Sequence, residues 1–130
     1  MAQQLADRRD IDFVLYEQLE SETTLKEKKY AGFNKKTCDL ILTEARSLAI
    51  KELLPTMKDG DEIGVKLANN EVTTPESYKR PFELIKEGEW QSLRIPEEMG
   101  GQGAPLFLST AVNEYFMAAN WSLINYATMG

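Results

Sequence analysis

The sequence predicts an all-α domain: a helical bundle of five or six helices, with at most one small β-hairpin. Three observations predict it. Apolar residues recur at three- and four-residue spacing through most of the chain. Proline and glycine fall at the ends of these runs. The connections between runs are mostly short. With 130 residues, 42% of them hydrophobic, the chain is the size of one ordinary domain and can fill one core.

The first helix is predicted over Asp10 to Leu19, where Ile11, Val14, Leu15 and Leu19 share a face and Asp10 can cap the start. Glu20 to Gly32 is more polar, and its Leu25 and Tyr30, with Phe33 just beyond, can anchor a short helix and a turn. Asn34 to Leu54 gives the strongest helical pattern. Cys38, Ile41, Leu42, Ala45, Leu48, Ala49 and Leu53 form a broad apolar stripe, Asn34 suits the N-cap, and Pro55 ends the pattern.

Lys58 to Asn70 reads as a loop. Within it, Val65 to Leu67 and Glu71 to Thr73 flank Ala68-Asn69-Asn70, a hairpin pattern that should lean on helices. Thr74-Pro75-Glu76 restarts a helix, with Thr74 as cap; Pro81 kinks or splits it, and Gly88 breaks it. Phe82, Ile85 and Trp90 face the core. Trp90 to Gly103 is extended and then glycine-rich, and Pro105 opens a long helix through about Ala119. Asn120 or Ser122 can cap a further helix carrying Leu123, Ile124, Tyr126 and Ala127.

Composition excludes several functions. The 21 acids outnumber the 15 bases, giving a formal charge of −6, and no basic track is present, so nucleic acid is not an expected partner. No apolar run approaches the length of a membrane span, and Met1 to Asp12 lacks the pattern of a signal peptide, so a soluble cytoplasmic protein is expected. The absence of histidine removes the commonest general base and metal ligand. Cys38, on an apolar stripe with no histidine partner, reads as a buried structural thiol. Asp59, Asp61 and Glu62 lack the alternating ligand spacing of a calcium loop and read as a solvated turn, so no metal site is expected.

The most individual stretch is Arg94-Ile95-Pro96-Glu97-Glu98-Met99-Gly100-Gly101-Gln102-Gly103. Its plain reading is a tight irregular loop between helices; its sharper reading is a phosphate cradle at a helix N-terminus. The usual nucleotide versions do not fit, because no buried strand precedes it and no Gly-Lys-Ser/Thr ends it. With Gly88 and Trp90 before it, the stretch resembles the Pro-Glu-Glu-x-Gly-Gly-x-Gly loop in the N-terminal domain of the acyl-CoA dehydrogenase family. Ala111 to Asn120, with Glu114 among small residues, resembles the helix that follows that loop. The likeness is densest over Gly88 to Gly130. The opening, with Arg8 to Phe13 and Tyr30, resembles the larger branch similar to 3-methylmercaptopropionyl-CoA dehydrogenases.

The resemblance implies that residues 1–130 are the N-terminal helical domain of a longer oxidoreductase, with a middle β-domain and a C-terminal helical bundle absent. It implies a flavoprotein of fatty acid metabolism that removes hydrogen across the α,β bond of an acyl-CoA. FAD would lie mainly among the later domains and a partner protomer in a homo-oligomer, and the catalytic glutamate usually in the C-terminal bundle. No catalytic residue and no bound cofactor are therefore expected in this chain, and Glu97, Glu98 and Glu114 are not assigned that role.

The family's post-loop helix helps wall the acyl-chain pocket. Leu108, Ser109, Val112 and Phe116 are the residues that correspond, with Leu106 a lesser addition. The plainer reading makes them core, as apolar helical stripes usually are. Pro96, Glu97, Glu98, Gly100, Gly101 and Gly103 form the structural loop motif. The competing reading of the whole chain is a stand-alone helical protein–protein interaction module.

Overall fold

The computed structural model describes residues 5–129 and is mostly helical, with one two-stranded sheet. Met1 to Gln4 and Gly130, both included in the sequence reading, lie outside the described residues. The helices are α1 (Arg8–Asp12), α2 (Lys35–Leu48), α3 (Met57–Glu62), α4 (Lys79–Glu87) and α5 (Leu106–Thr128). Short π and 3-10 turns fuse several of these. The outcome is four helical bodies over 8–18, 35–62, 76–87 and 106–128, the last kinked within its length, not five or six.

Asp7 starts the first body, not Asp10: its carboxylate accepts the Arg9 N–H, so the helix begins two residues before the sequence suggests. Ile11 and Leu15 point into the core, while Val14 and Leu19 remain exposed. A polar cluster ties this body to α2. Asp39 accepts from Lys35 Nζ at 2.9 Å, from the Tyr16 hydroxyl at 2.8 Å and from the Arg8 guanidinium at 3.2 Å. Glu20 to Gly32, where one short helix is foreseen, makes two 3-10 turns, Thr24–Lys26 and Lys28–Tyr30.

Asn34 caps α2 by accepting the Thr37 N–H. Cys38, Leu42 and Ala45 are buried on its inner face. Pro55 does not end this body. The π turn Ala49–Leu53 widens the helix just before the proline, so no regular bond is lost at its missing N–H. The chain tightens to the 3-10 turn Leu54–Thr56, and the Thr56 hydroxyl donates to the Leu53 carbonyl at 2.7 Å. It then continues as α3, where the sequence reads as a loop. Gly60 makes this possible, because a β-carbon there would run into the Tyr78 hydroxyl.

The hairpin pairs β1 (Lys66–Ala68) with β2 (Glu71–Thr73), antiparallel, with Leu67 opposite Val72. Asn69 and Asn70 both take positive φ, 51° and 61°, as a two-residue hairpin turn requires. All six strand residues are exposed, so the hairpin projects from the bundle and does not lean on it. Pro75, not Thr74, precedes the next body, which opens as a 3-10 turn at Glu76–Tyr78. Pro81 then sits in the first turn of α4, where its missing N–H disturbs nothing. Gly88 closes α4, and the left-handed residue is Glu89, at φ 55°.

The last body is the centre of the core. Leu108, Val112, Tyr115, Ala119 and Leu123 are all buried, packed mainly against α2 and its π continuation. Asn120 breaks the helix with extended backbone, φ −162° and ψ 89°. Its Oδ1 accepts the Leu123 N–H at 3.0 Å and so caps the segment beyond, as one of the two sequence alternatives foresees. The same oxygen accepts the Tyr78 hydroxyl at 3.3 Å, and Nδ2 donates to Thr56 Oγ1 at 3.0 Å. One buried amide thus joins three helical bodies.

Candidate functional site

The loop after α4 is built by its own backbone. Trp90–Ser92 forms a 3-10 turn, where the sequence suggests an extended chain. Pro96 leads into a second 3-10 turn at Glu97–Met99, and Gly100, at φ 85°, reverses the chain. Gly101 then crosses Ile95 so closely that a β-carbon would collide with the Ile95 carbonyl. The returning strand bonds to the outgoing one: Gln102 N donates to Ser92 O, Gly103 N to Ile95 O and Ala104 N to Leu93 O, at 2.9–3.0 Å. Met99, Gly100 and Gly101 donate to Pro96 or Glu97 carbonyls.

Every backbone N–H from Met99 to Ala104 is therefore bonded within the loop. None of these six amides is free to cradle a phosphate, an arrangement in keeping with the plainer reading of the stretch as an irregular loop between helices. Glu97 and Glu98 lie exposed on its outer turn, and Glu114 is exposed on α5.

The loop seats the start of α5. Leu108, Ser109, Val112 and Phe116 all fall on its buried side, at 0, 4, 2 and 2% exposure. They do not share one environment. Ser109 and Val112 line a cavity of about 360 Å³ between α5 and residues 90–95. Leu108 and Phe116 are not among its lining residues; Phe116 packs edge-to-face on Trp90, with ring centroids 5.4 Å apart. Leu106 is exposed and borders a different, apolar groove of about 540 Å³, shared with Ile11, Val14 and Leu15.

The bend at Asn120 completes the cavity. Ala127 lies fifteen residues after Val112, a separation of about 22 Å along a straight helix. The bend brings Ala127 and Thr128 back to the cavity that Ser109 and Val112 line, and Gln91 Nε2 fixes them by donating to the Ala127 carbonyl. Gln91, Arg94, Asn113, Ala127 and Thr128 are site residues that sequence reasoning missed. Only Asn113 left a trace, since it follows Ser109 by four residues on the same helical face.

Cys38 is fully buried, and burial, then the nearby Asp39 carboxylate, pushes its thiol up to about 11, which keeps it protonated at neutral pH. Among the described residues, no group of three or more His, Cys, Asp or Glu side chains is placed to hold a metal ion, and no helix is long and apolar enough to cross a membrane.

The chain is similar in sequence to two acyl-CoA dehydrogenases. It is 36% identical over 70 residues to the 3-methylmercaptopropionyl-CoA dehydrogenase of Ruegeria pomeroyi, covering 54% of this chain and 12% of that protein. It is 26% identical over 121 residues to the broad-specificity linear acyl-CoA dehydrogenase FadE5 of Mycobacterium tuberculosis, covering 92% of this chain and 20% of that one. The chain thus spans at most a fifth of the length of these relatives. No family model matches the chain.

Proposed function

We propose that this chain is the N-terminal helical domain of an FAD-dependent acyl-CoA dehydrogenase, and that it helps wall the acyl-chain pocket without being catalytic alone. The observation that carries the reading is the likeness to a linear acyl-CoA dehydrogenase over 121 of its residues. Ser109 and Val112 form the wall, with Leu108 and Phe116 behind them as packing. FAD, which supplies the oxidation, binds in segments beyond this chain, in keeping with a glycine loop whose amides are satisfied internally. The partners are an acyl-CoA substrate, the middle and C-terminal domains, and a second protomer; the setting is cytoplasmic fatty acid metabolism.

The test is the coding sequence beyond Gly130 and the protein it specifies. That sequence should continue into a β-rich segment and then long helices. The whole protein should purify yellow and lose its flavin colour on adding acyl-CoA, and Val112→Trp in it should raise KM for the longest substrates by about tenfold or more. The 130-residue chain alone should purify colourless and inactive; a stoichiometric flavin on it would sink the placement of the cofactor. A stop codon after Gly130 would overturn the domain reading in favour of a stand-alone interaction module docking through the groove beside Ile11 and Leu106.

A further inference from the structure

The cavity between α5 and residues 90–95 has a floor and a rim of different character. Ser109, Val112 and Ala127 are buried and form the floor, whereas Arg94 is exposed and Asn113 half-buried at the rim. Most polar groups around it already have partners. Gln91 Nε2 donates to the Ala127 carbonyl, Ser109 Oγ to the Leu106 carbonyl at 3.0 Å, and Thr128 Oγ1 to the Ile124 carbonyl at 2.9 Å. The Arg94 guanidinium and the Asn113 carboxamide have no hydrogen bond or ion pair among the described residues. No Asp or Glu lines the cavity, although the chain carries 21 acids against 15 bases. The cavity therefore holds a local surplus of N–H donors and one positive charge, in a protein that is negative as a whole.

A plain hydrocarbon tail would offer Arg94 and Asn113 no acceptor and would shield part of the half-buried Asn113 amide from water. A group ending in a carboxylate or phosphate would accept from both, and charge-assisted bonds of this kind are the stronger ones. At roughly 30 Å³ per water-sized group, the space holds about a dozen such groups, so size alone does not exclude a short aliphatic tail with an anionic end.

We propose that this cavity selects a short aliphatic group ending in an anion, with its apolar part on the Ser109–Val112–Ala127 floor and its anionic oxygens on Arg94 and Asn113. The inference rests on the reading of α5 as an acyl-pocket wall and narrows it. The ligand is an acyl thioester whose negative charge, on the acyl group itself or on a phosphate of its carrier, meets Arg94.

The experiment is a titration of the isotope-labelled chain followed by NMR at the Arg94 Nε–H, the Asn113 side-chain amide, and the Ser109 and Val112 backbone amides. The probes are monomethyl glutarate, methyl pentanoate and phosphopantetheine. Monomethyl glutarate should move these signals at about tenfold lower concentration than methyl pentanoate, and Arg94→Met should abolish the difference. Asn113→Leu should remove part of it and gives a second arm should Arg94→Met disturb the fold, which the Trp90–Phe116 ring signals report. Phosphopantetheine moving the same signals in place of glutarate supports the anion site and assigns the charge to the carrier. Methyl pentanoate acting as well as monomethyl glutarate would leave the acyl wall standing and overturn anion selection. No probe reaching Ser109 or Val112 would overturn both.

Discussion

The loop from Pro96 to Gly103 and the cavity beside it share one stretch of chain and treat polar groups in opposite ways. In the loop, each N–H from Met99 to Ala104 is bonded to a carbonyl of the same segment. At the cavity, Arg94 and Asn113 carry donors without partners among the described residues. The most individual segment of the sequence thus satisfies its own amides from Met99 to Ala104, and the unpartnered side-chain donors stand next to it. The physical reason is that buried or turn-forming amides must be satisfied, while side chains at a rim can wait for a ligand. Substitutions in the first region should cost stability, and those in the second should cost binding.

The largest stability effect should come from Gly101→Ala. The added methyl meets the Ile95 carbonyl, which belongs to the backbone and cannot rotate away, and the bonds from Gln102, Gly103 and Ala104 depend on that crossing. A loss of about 3 kcal/mol is expected, seen as a fall in melting temperature of ~10 °C. An unchanged melting temperature would show that the loop can be rebuilt without its ladder. Asn120→Ala should follow, at about 2 kcal/mol, because it removes a cap and strands the Tyr78 hydroxyl and Thr56. Faster amide exchange at Leu123 and nearby should accompany it.

A third, smaller effect tests a polar cluster that is satisfied but more exposed. Burial pushes the Asp39 carboxyl up, but the hydrogen bonds from Lys35 and Tyr16 outweigh it and hold the group below the usual carboxylate range. Because the folded pKa lies below the unfolded one, its contribution is complete above about pH 4 and fades as pH falls through the folded value. Asp39→Asn should therefore cost about 1 kcal/mol near neutrality, discounted for solvent exposure. In urea titrations, the gap between the two proteins should close on acidification. A gap that widened in acid would mean the carboxylate is not the clamp between α2 and the first helical body.

Local features were legible in the sequence, and long-range ones were not. Asn34 and the stripe from Cys38 to Leu53 define α2 because cap and periodicity are both local. The hairpin is readable from Asn69-Asn70 for the same reason. The continuation through Pro55 is not readable. It depends on a π turn, on the Thr56 hydroxyl, and on Asn120, 64 residues beyond Thr56, bonding to that hydroxyl. α3 likewise needs Tyr78 lying over Gly60. At the site, the family resemblance points to Ser109 and Val112 but not to Arg94, which residues 90–95 lay alongside α5, or to Ala127, which reaches the cavity only because α5 bends.

The smallest stability effect is the one that separates the two regions most sharply. Arg94→Met keeps an aliphatic stem and removes only a charge that nothing in the described residues engages. Its stability should stay within about 0.5 kcal/mol of the parent, as for surface positions without a structural task. The same holds for Asn113→Leu, whose half-buried amide is replaced by an apolar side chain on a helix already rich in them. A loss comparable to that of Gly101→Ala would mean that these donors support the fold after all, and the contrast between loop and cavity would fail. Unchanged melting with altered ligand response would locate the selectivity of the cavity in groups the fold itself does not need.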